Sequence, residues 1–245
     1  PRRGRPPCSS PPERRGGGAR PAVTALPGGW ALRRLRGTAG ELHAEPVPEA
    51  PHRAVWVLEA TAPALVLGST QRDDLVDAGA AARAGVAVVR RRSGGGAVFV
   101  DPATTAWVDV VLPAGDPLWD DDVGRAAHWV GRAWQRALAD LGVAPAVVHE
   151  GAMACGPLGR LVCFATVGAG EVTTPDGRKI VGISQRRTRA AARFQCAAYS
   201  RWDPEPLVEL LGLGPEGRRA IAGATVGVGR PPAEVVDAFL RHLPA

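Results

Sequence analysis

Apolar and polar positions change period several times along this chain, and each change marks an element. Residues 30–43 predict a strand, a turn and a short helix. Residues 55–58 and 64–68 are short apolar runs broken by Pro63, and each reads as a strand. Residues 73–85 are alanine-rich, with Leu75, Val76 and Ala80 spaced for a helix. β-Branched residues crowd 86–91, predicting a strand, and Ser93 to Gly96 form a tight loop. Strands follow at 97–100 and 107–112. In the second of these, Trp107, Asp109 and Val111 share one face and Val108, Val110 and Leu112 the other.

The strongest helical period runs over residues 121–141, with Asp120, Asp121 and Asp122 at its start, where the helix dipole favours anions. Residues 146–149 then read as a strand, 161–165 and 171–174 as strands, and Pro175-Asp176-Gly177 as a hairpin turn. Residues 178–185 are the returning strand and 194–200 another. Two helices, at 204–211 and 231–242, finish the chain, each with a proline in its first turn. Helices interleave with hairpin-connected strands. The expected class is α+β: a mixed, largely antiparallel β-sheet flanked by helices.

Charge divides the chain in two. The formal net charge is +6, but residues 1–36 carry +8 and the remainder −2. The basicity therefore belongs to an Arg/Pro/Gly-rich tail, residues 1–29, that reads as disordered. It leaves residues 30–245, enough for one large domain or two small ones. A folded nucleic-acid face is not expected, and no apolar run is long enough to span a membrane. Cys8, Cys155, Cys163 and Cys196 form no C-x-x-C pair and no histidine stands at zinc-ligand spacing, so no metal site is expected. Without an export signal they read as free thiols of a cytoplasmic protein.

Composition then singles out one residue. Lys179 is the only lysine among 30 basic residues, and the chain has no asparagine, which is the mark of a GC-biased genome. A lysine that persists there sits where arginine, a planar fork that never deprotonates, cannot serve; the competing reading is a solvated strand edge. On an alternating strand Lys179, Val181 and Ile183 share a face. The second candidate is Arg90-Arg91-Arg92-Ser93-Gly94-Gly95-Gly96-Ala97. Its glycines let backbone approach an anion, and its arginines can fork onto carboxylate or phosphate. It is neither a P-loop nor a dinucleotide fingerprint, because no Gly-Lys-Ser/Thr and no helix follow.

Together these segments carry a resemblance. Arg91-Arg92-Ser93-Gly94-Gly95-Gly96-Ala97-Val98-Phe99-x-Asp101, Pro63-Ala64-Leu65-Val66-Leu67-Gly68-x-x-Gln71 and Gly177-Arg178-Lys179-Ile180-x-Gly182-x-Ser184-Gln185-Arg186 resemble, in order and spacing, motifs of the lipoate–protein ligase A family within the biotin and lipoate protein ligase superfamily. The resemblance implies a catalytic domain related to class II aminoacyl-tRNA synthetases. It implies activation of lipoate or octanoate with ATP and Mg2+, then transfer to a lysine on the lipoyl domain of a 2-oxoacid dehydrogenase or a glycine-cleavage H protein. By motif match, Arg91, Ser93, Gly94, Gly95, Gly96, Ala97, Gly182 and Ser184 would line the acyl and phosphate site. Lys179 would hold the acyl carbonyl and phosphate bridge.

Departures from the motifs keep other readings open. Val100 stands where the family has histidine, and Phe194-Gln195-Cys196-Ala197 stands for a His-Gly pair. The chain would leave no room after Ala245 for the small C-terminal domain of many ligases. Cys163, sixteen residues before Lys179, occupies what looks like the position of the nucleophile in octanoyltransferases of the superfamily. Those enzymes take octanoate from acyl carrier protein through a thioester and need no ATP. A non-catalytic homologue that binds an acyl group or a lipoyl protein is the third reading.

Overall fold

The computed structural model describes residues 22–143 and 145–245. In chain order the elements are β1 (Val23–Leu26), β2 (Trp30–Gly37), α1 (Ala39–Ala44), β3 (Ala54–Ala60), β4 (Ala64–Leu67), α2 (Ala78–Ala84) and β5 (Ala87–Arg90). There follow β6 (Val98–Val100), β7 (Thr105–Pro113), α3 (His128–Asp140), β8 (Val147–Val148), β9 (Ala154–Cys155) and β10 (Thr166–Val167). The chain continues with β11 (Val172–Thr173), β12 (Lys179–Arg187), β13 (Ala191–Tyr199), α4 (Glu205–Leu210), α5 (Pro215–Ala224) and α6 (Pro232–Arg241).

Eight strands form the main sheet in the order β1-β2-β3-β7-β13-β12-β11-β8. Only the β2–β3 pair is parallel, so the sheet is mixed and mostly antiparallel, as its hairpins predict. A smaller sheet, β5-β4-β6, and a β9–β10 ribbon stand beside it.

The central strand β7 is buried along nearly its whole length because both faces are covered. Val108, Val110 and Leu112 enter the core under α3 and α6, where Trp134 stacks on Phe239 with centroids 4.3 Å apart. Trp107 and Val111 enter the opposite core with Trp56, Leu42 and Val66, beneath α1 and β4. Helix α3 buries Val130, Ala133, Trp134, Ala137 and Leu138, the i, i+3, i+4 stripe that makes it a helix. Helix α1, though short, starts in a capping box: Glu41 N–H donates to the Thr38 hydroxyl, and the Glu41 carboxylate accepts from Thr38 N–H at 2.8 Å.

Several elements differ from the sequence expectation. Val23–Leu26 is a strand paired with β2, so the fold begins inside the expected tail; residues 1–21 lie outside the described residues. The helix expected from Asp121 begins only at His128. Asp120 and Asp122 accept N–H bonds from Asp122 and Gly124, at 2.8 and 2.7 Å, and those local bonds wind the segment into turns instead. In place of a strand at 161–165 there is one bridge, Val162 to Ala97, followed by a tight 3-10 turn over Cys163–Ala165. A third C-terminal helix, α5, interrupts the two expected; among its residues only Ile221 is buried, so it shows little apolar stripe.

Candidate active site

Two cavities meet at Cys163. An inner pocket of about 50 Å3 is lined by Val66, Val98, Trp107, Phe164 and Cys196, with His43, Arg91, Ser184 and Gln195 among them. An open groove of about 490 Å3 runs past Gly94, Gly95, Gly96, Glu171 and Lys179. Cys163, Ile183 and Ser184 line both.

Close backbone contact holds the glycine loop in place. A Cβ on Gly68 would stand 1.9 Å from the Gly95 carbonyl oxygen, and one on Gly96 would stand 2.7 Å from the Cys163 nitrogen. Gly95 itself has φ +97°, a conformation that suits glycine. Ala97 N–H donates to Leu161 O at 2.8 Å, and Cys163 N–H donates to Ala97 O at 2.9 Å. Gln71 fastens the end of β4 to the same segment, donating to Leu161 O and accepting from Gly68 N–H. The first two motifs of the sequence thus hold the cysteine turn.

Arg91 does not offer its fork to solvent. It is buried, and its guanidinium donates to Val66 O, Gly94 O and Gly96 O at 3.3, 2.7 and 2.8 Å. It is a brace for the loop, and its Nε alone lacks a partner. Arg90 is likewise engaged, bonding Gly68 O, Gln71 O and Asp73.

Lys179 is 1% exposed, not a solvated edge residue. Its Nζ lies 2.7 Å from Glu171 Oε2, donates to Cys163 O at 2.9 Å, and stands 5.2 Å from the Phe164 ring centre. Glu171 also accepts from Gly168 N–H and Ile183 N–H, at 2.6 and 2.9 Å. The expected shared face with Val181 and Ile183 fails for a local reason. Val172 pairs with Val181 and Thr173 with Lys179, so Ile180 is one residue too many and the strand bulges. Val181 consequently enters the main core, while Lys179 turns to Glu171 and Phe164, the same groups that a Cβ on Gly182 would meet.

A half-buried polar chain runs along the inner pocket. Ser184 Oγ lies 3.2 Å from Ser93 Oγ, which donates to Gln195 Oε1 at 2.7 Å. Gln195 Nε2 then donates to His43 Nδ1 at 3.0 Å. His43 packs on Trp107, and burial with the nearby Arg91 and Arg193 pushes its pKa down to about 3. It is therefore neutral, and with Nδ1 accepting, its proton resides on Nε2. Beneath, fully buried Asp109 bonds Arg193 Nε at 2.6 Å and Trp107 Nε1 at 2.9 Å.

The fold thus gathers the sequence candidates. Gly94, Gly95, Gly96 and Lys179 line the groove, Arg91 and Gly182 the inner pocket, and Cys163 and Ser184 both. Ser93 supports Ser184, and Ala97 acts through its backbone. Glu171, His43 and Gln195 escape sequence reasoning. The one signal for Glu171 is a lone acid in an otherwise uncharged run from Leu161 to Thr174.

The sequence profile described as "Lipoyl protein ligase A/B catalytic domain" matches residues 41–235. No curated protein matches the chain in sequence. Among solved structures, the chain is similar to Ta0514 of T. acidophilum, described with bound lipoic acid. Identity is 17%, coverage 87% of this chain and 83% of that one, and TM-score 0.65. A bi-partite lipoate protein ligase of T. acidophilum, described with its E2 lipoyl domain, aligns at 18% identity over 86% and 80% of the chains, with TM-score 0.64. A lipoate-protein ligase A bound with ATP aligns at 18% over 86% and 82%, also with TM-score 0.64.

Proposed function

The chain belongs to the lipoyl protein ligase A/B catalytic-domain family, and from that membership we propose that it transfers a lipoyl or octanoyl group to a lysine of a lipoyl domain through a thioester on Cys163. The observation that carries this reading is the position of Cys163, which lines both the inner pocket and the groove, with Lys179 Nζ bonded to the same residue's carbonyl.

The thiolate of Cys163 attacks the thioester carbonyl of an acyl carrier. The new C–S bond forms as the old one breaks, and the carrier thiolate leaves and takes a proton. The acceptor's lysine amine then attacks the acyl-cysteine, an amide forms, and the Cys163 thiolate is released. Lysine has three N–H donors; Glu171 and Cys163 O engage two, leaving one for the oxyanion in either step. The acyl tail starts in the inner pocket and the acceptor enters along the groove. Cys196 has no part: burial pushes its thiol far above the usual range.

A second reading, ligation through an acyl-adenylate, is favoured by the glycine loop along a groove spacious enough for a nucleotide. ATP phosphates would rest against Gly94, Gly95 and Gly96. Mg2+ would come with the nucleotide, held mainly by its phosphates and by water.

The test is the mass of an apo lipoyl domain incubated with the protein and either octanoyl carrier protein or lipoate with ATP and Mg2+. Transfer from the carrier protein, lost in Cys163→Ser, is the expected result. Transfer only with ATP, unaffected by Cys163→Ser, would make the protein a ligase. No transfer under either condition would leave it a binding protein.

A further inference from the structure

The main sheet is slit. β3 and β7 pair only from Ala54 opposite Val111 to Val57 opposite Val108. Yet β3 runs on beside β2 to Ala60, and β7 begins beside β13 at Thr105. Past Val57 the two strands part, and a cavity of about 310 Å3 lies there. Leu58, Ala60, Ala106 and Val236 give it apolar walls, and the charged residues Arg34, Arg36, Glu59 and Asp101 also line it, Arg34, Arg36 and Glu59 being exposed.

Val100, Thr105 and Trp107 line this cavity and the inner pocket alike, so they form the partition between the two. Trp107 is the largest of the three. Its indole N–H is held by Asp109 at 2.9 Å and its ring packs on His43 with centroids 4.5 Å apart. A water-sized group needs ~10–15 Å3 of such space, so the inner pocket of about 50 Å3 houses a tail of about four heavy atoms. An octanoyl or lipoyl tail is longer. The geometry points to Trp107 as the residue that sets acyl-chain length, with the slit behind it as the space a longer aliphatic tail enters when the indole yields. This rests on the reading of the inner pocket as the acyl site.

The test is calorimetric binding of hexanoate, octanoate, decanoate and dodecanoate to the full chain and to Trp107→Ala and Trp107→Phe. In Trp107→Ala the two cavities merge, and affinity climbs by about fourfold for each further methylene buried beyond the wild-type limit. Trp107→Phe, which keeps an aromatic wall, gives an intermediate profile and guards against a folding defect in the alanine variant. Acids that bind with the same chain-length profile in all three folded proteins would overturn the gate while leaving the acyl site standing. No binding of any acid to any of them would overturn the acyl-site reading itself, and the gate with it.

Discussion

Among its described residues the molecule buries two ion pairs, and they are built for different ends. Asp109–Arg193 lies between neighbouring strands under α1. Arg193 also donates to Leu42 O and Glu45 O at 3.0 and 2.7 Å, tying the last turn of α1 to the sheet. Its guanidinium stands over the Trp56 ring, 4.8 Å from the centre. Glu171–Lys179 is as deeply buried, with side chains 5% and 1% exposed, but it lines the groove and one lysine donor is uncommitted. The first pair fastens secondary structure; the second holds a lysine ammonium at the edge of a cavity. Burial alone does not separate structure from function; the chemistry of the cation and its access to the groove do.

Removing one acid from each pair breaks the comparison most sharply. Asp109→Asn leaves an unpaired guanidinium and is expected to cost about 3–5 kcal/mol in urea unfolding. Lys179→Arg is expected to lower acyl transfer by the equivalent of about 3–4 kcal/mol, because the wider fork does not fit between Glu171, Cys163 O and the Phe164 ring. A Lys179→Arg protein that kept most of its activity would refute the role given to this lysine. Glu171→Gln is expected to cost only about 1–2 kcal/mol of stability, since the amide still accepts one bond and Lys179 borders the groove. If it destabilised as much as Asp109→Asn, both pairs would be structural.

A pH-dependent effect sharpens the Asp109 side. His43 is depressed to about 3 in the fold, against 6.5 in the unfolded chain, so between those values the unfolded chain binds more protons. Stability falls as pH drops from 6.5 towards 3, by at most ~1.4 kcal/mol per pH unit from this group. Urea unfolding at stepwise lower pH should show this slope in the wild type and a shallower one in His43→Gln. Equal slopes would mean that His43 is not held neutral.

The sheet and the motif loops are legible in the sequence because their cause is local. Alternation along β7, glycines at 94 to 96 and the Pro175-Asp176-Gly177 turn each act over a few residues. What is not legible depends on partners far away in the chain. Arg91 is chemically fit for an anion and becomes a brace only because Gly94 O and Gly96 O fold back onto it. Lys179 faces Glu171 because of a single extra residue opposite β11, and period-two reasoning assumes no such residue. His43 and Gln195 lie 152 positions apart, and only α1 sitting on the sheet makes them neighbours.

The parted strands have one more consequence, for compression. Unfolding under hydrostatic pressure is favoured in proportion to the internal void it eliminates. The dry parts of the slit and the inner pocket contribute to that void, and both spaces adjoin the stretch where β3 and β7 no longer hold each other. Water forced in by pressure should enter the sheet there first. A bound chain that fills the space would make the protein less compressible, even where its melting temperature barely moves.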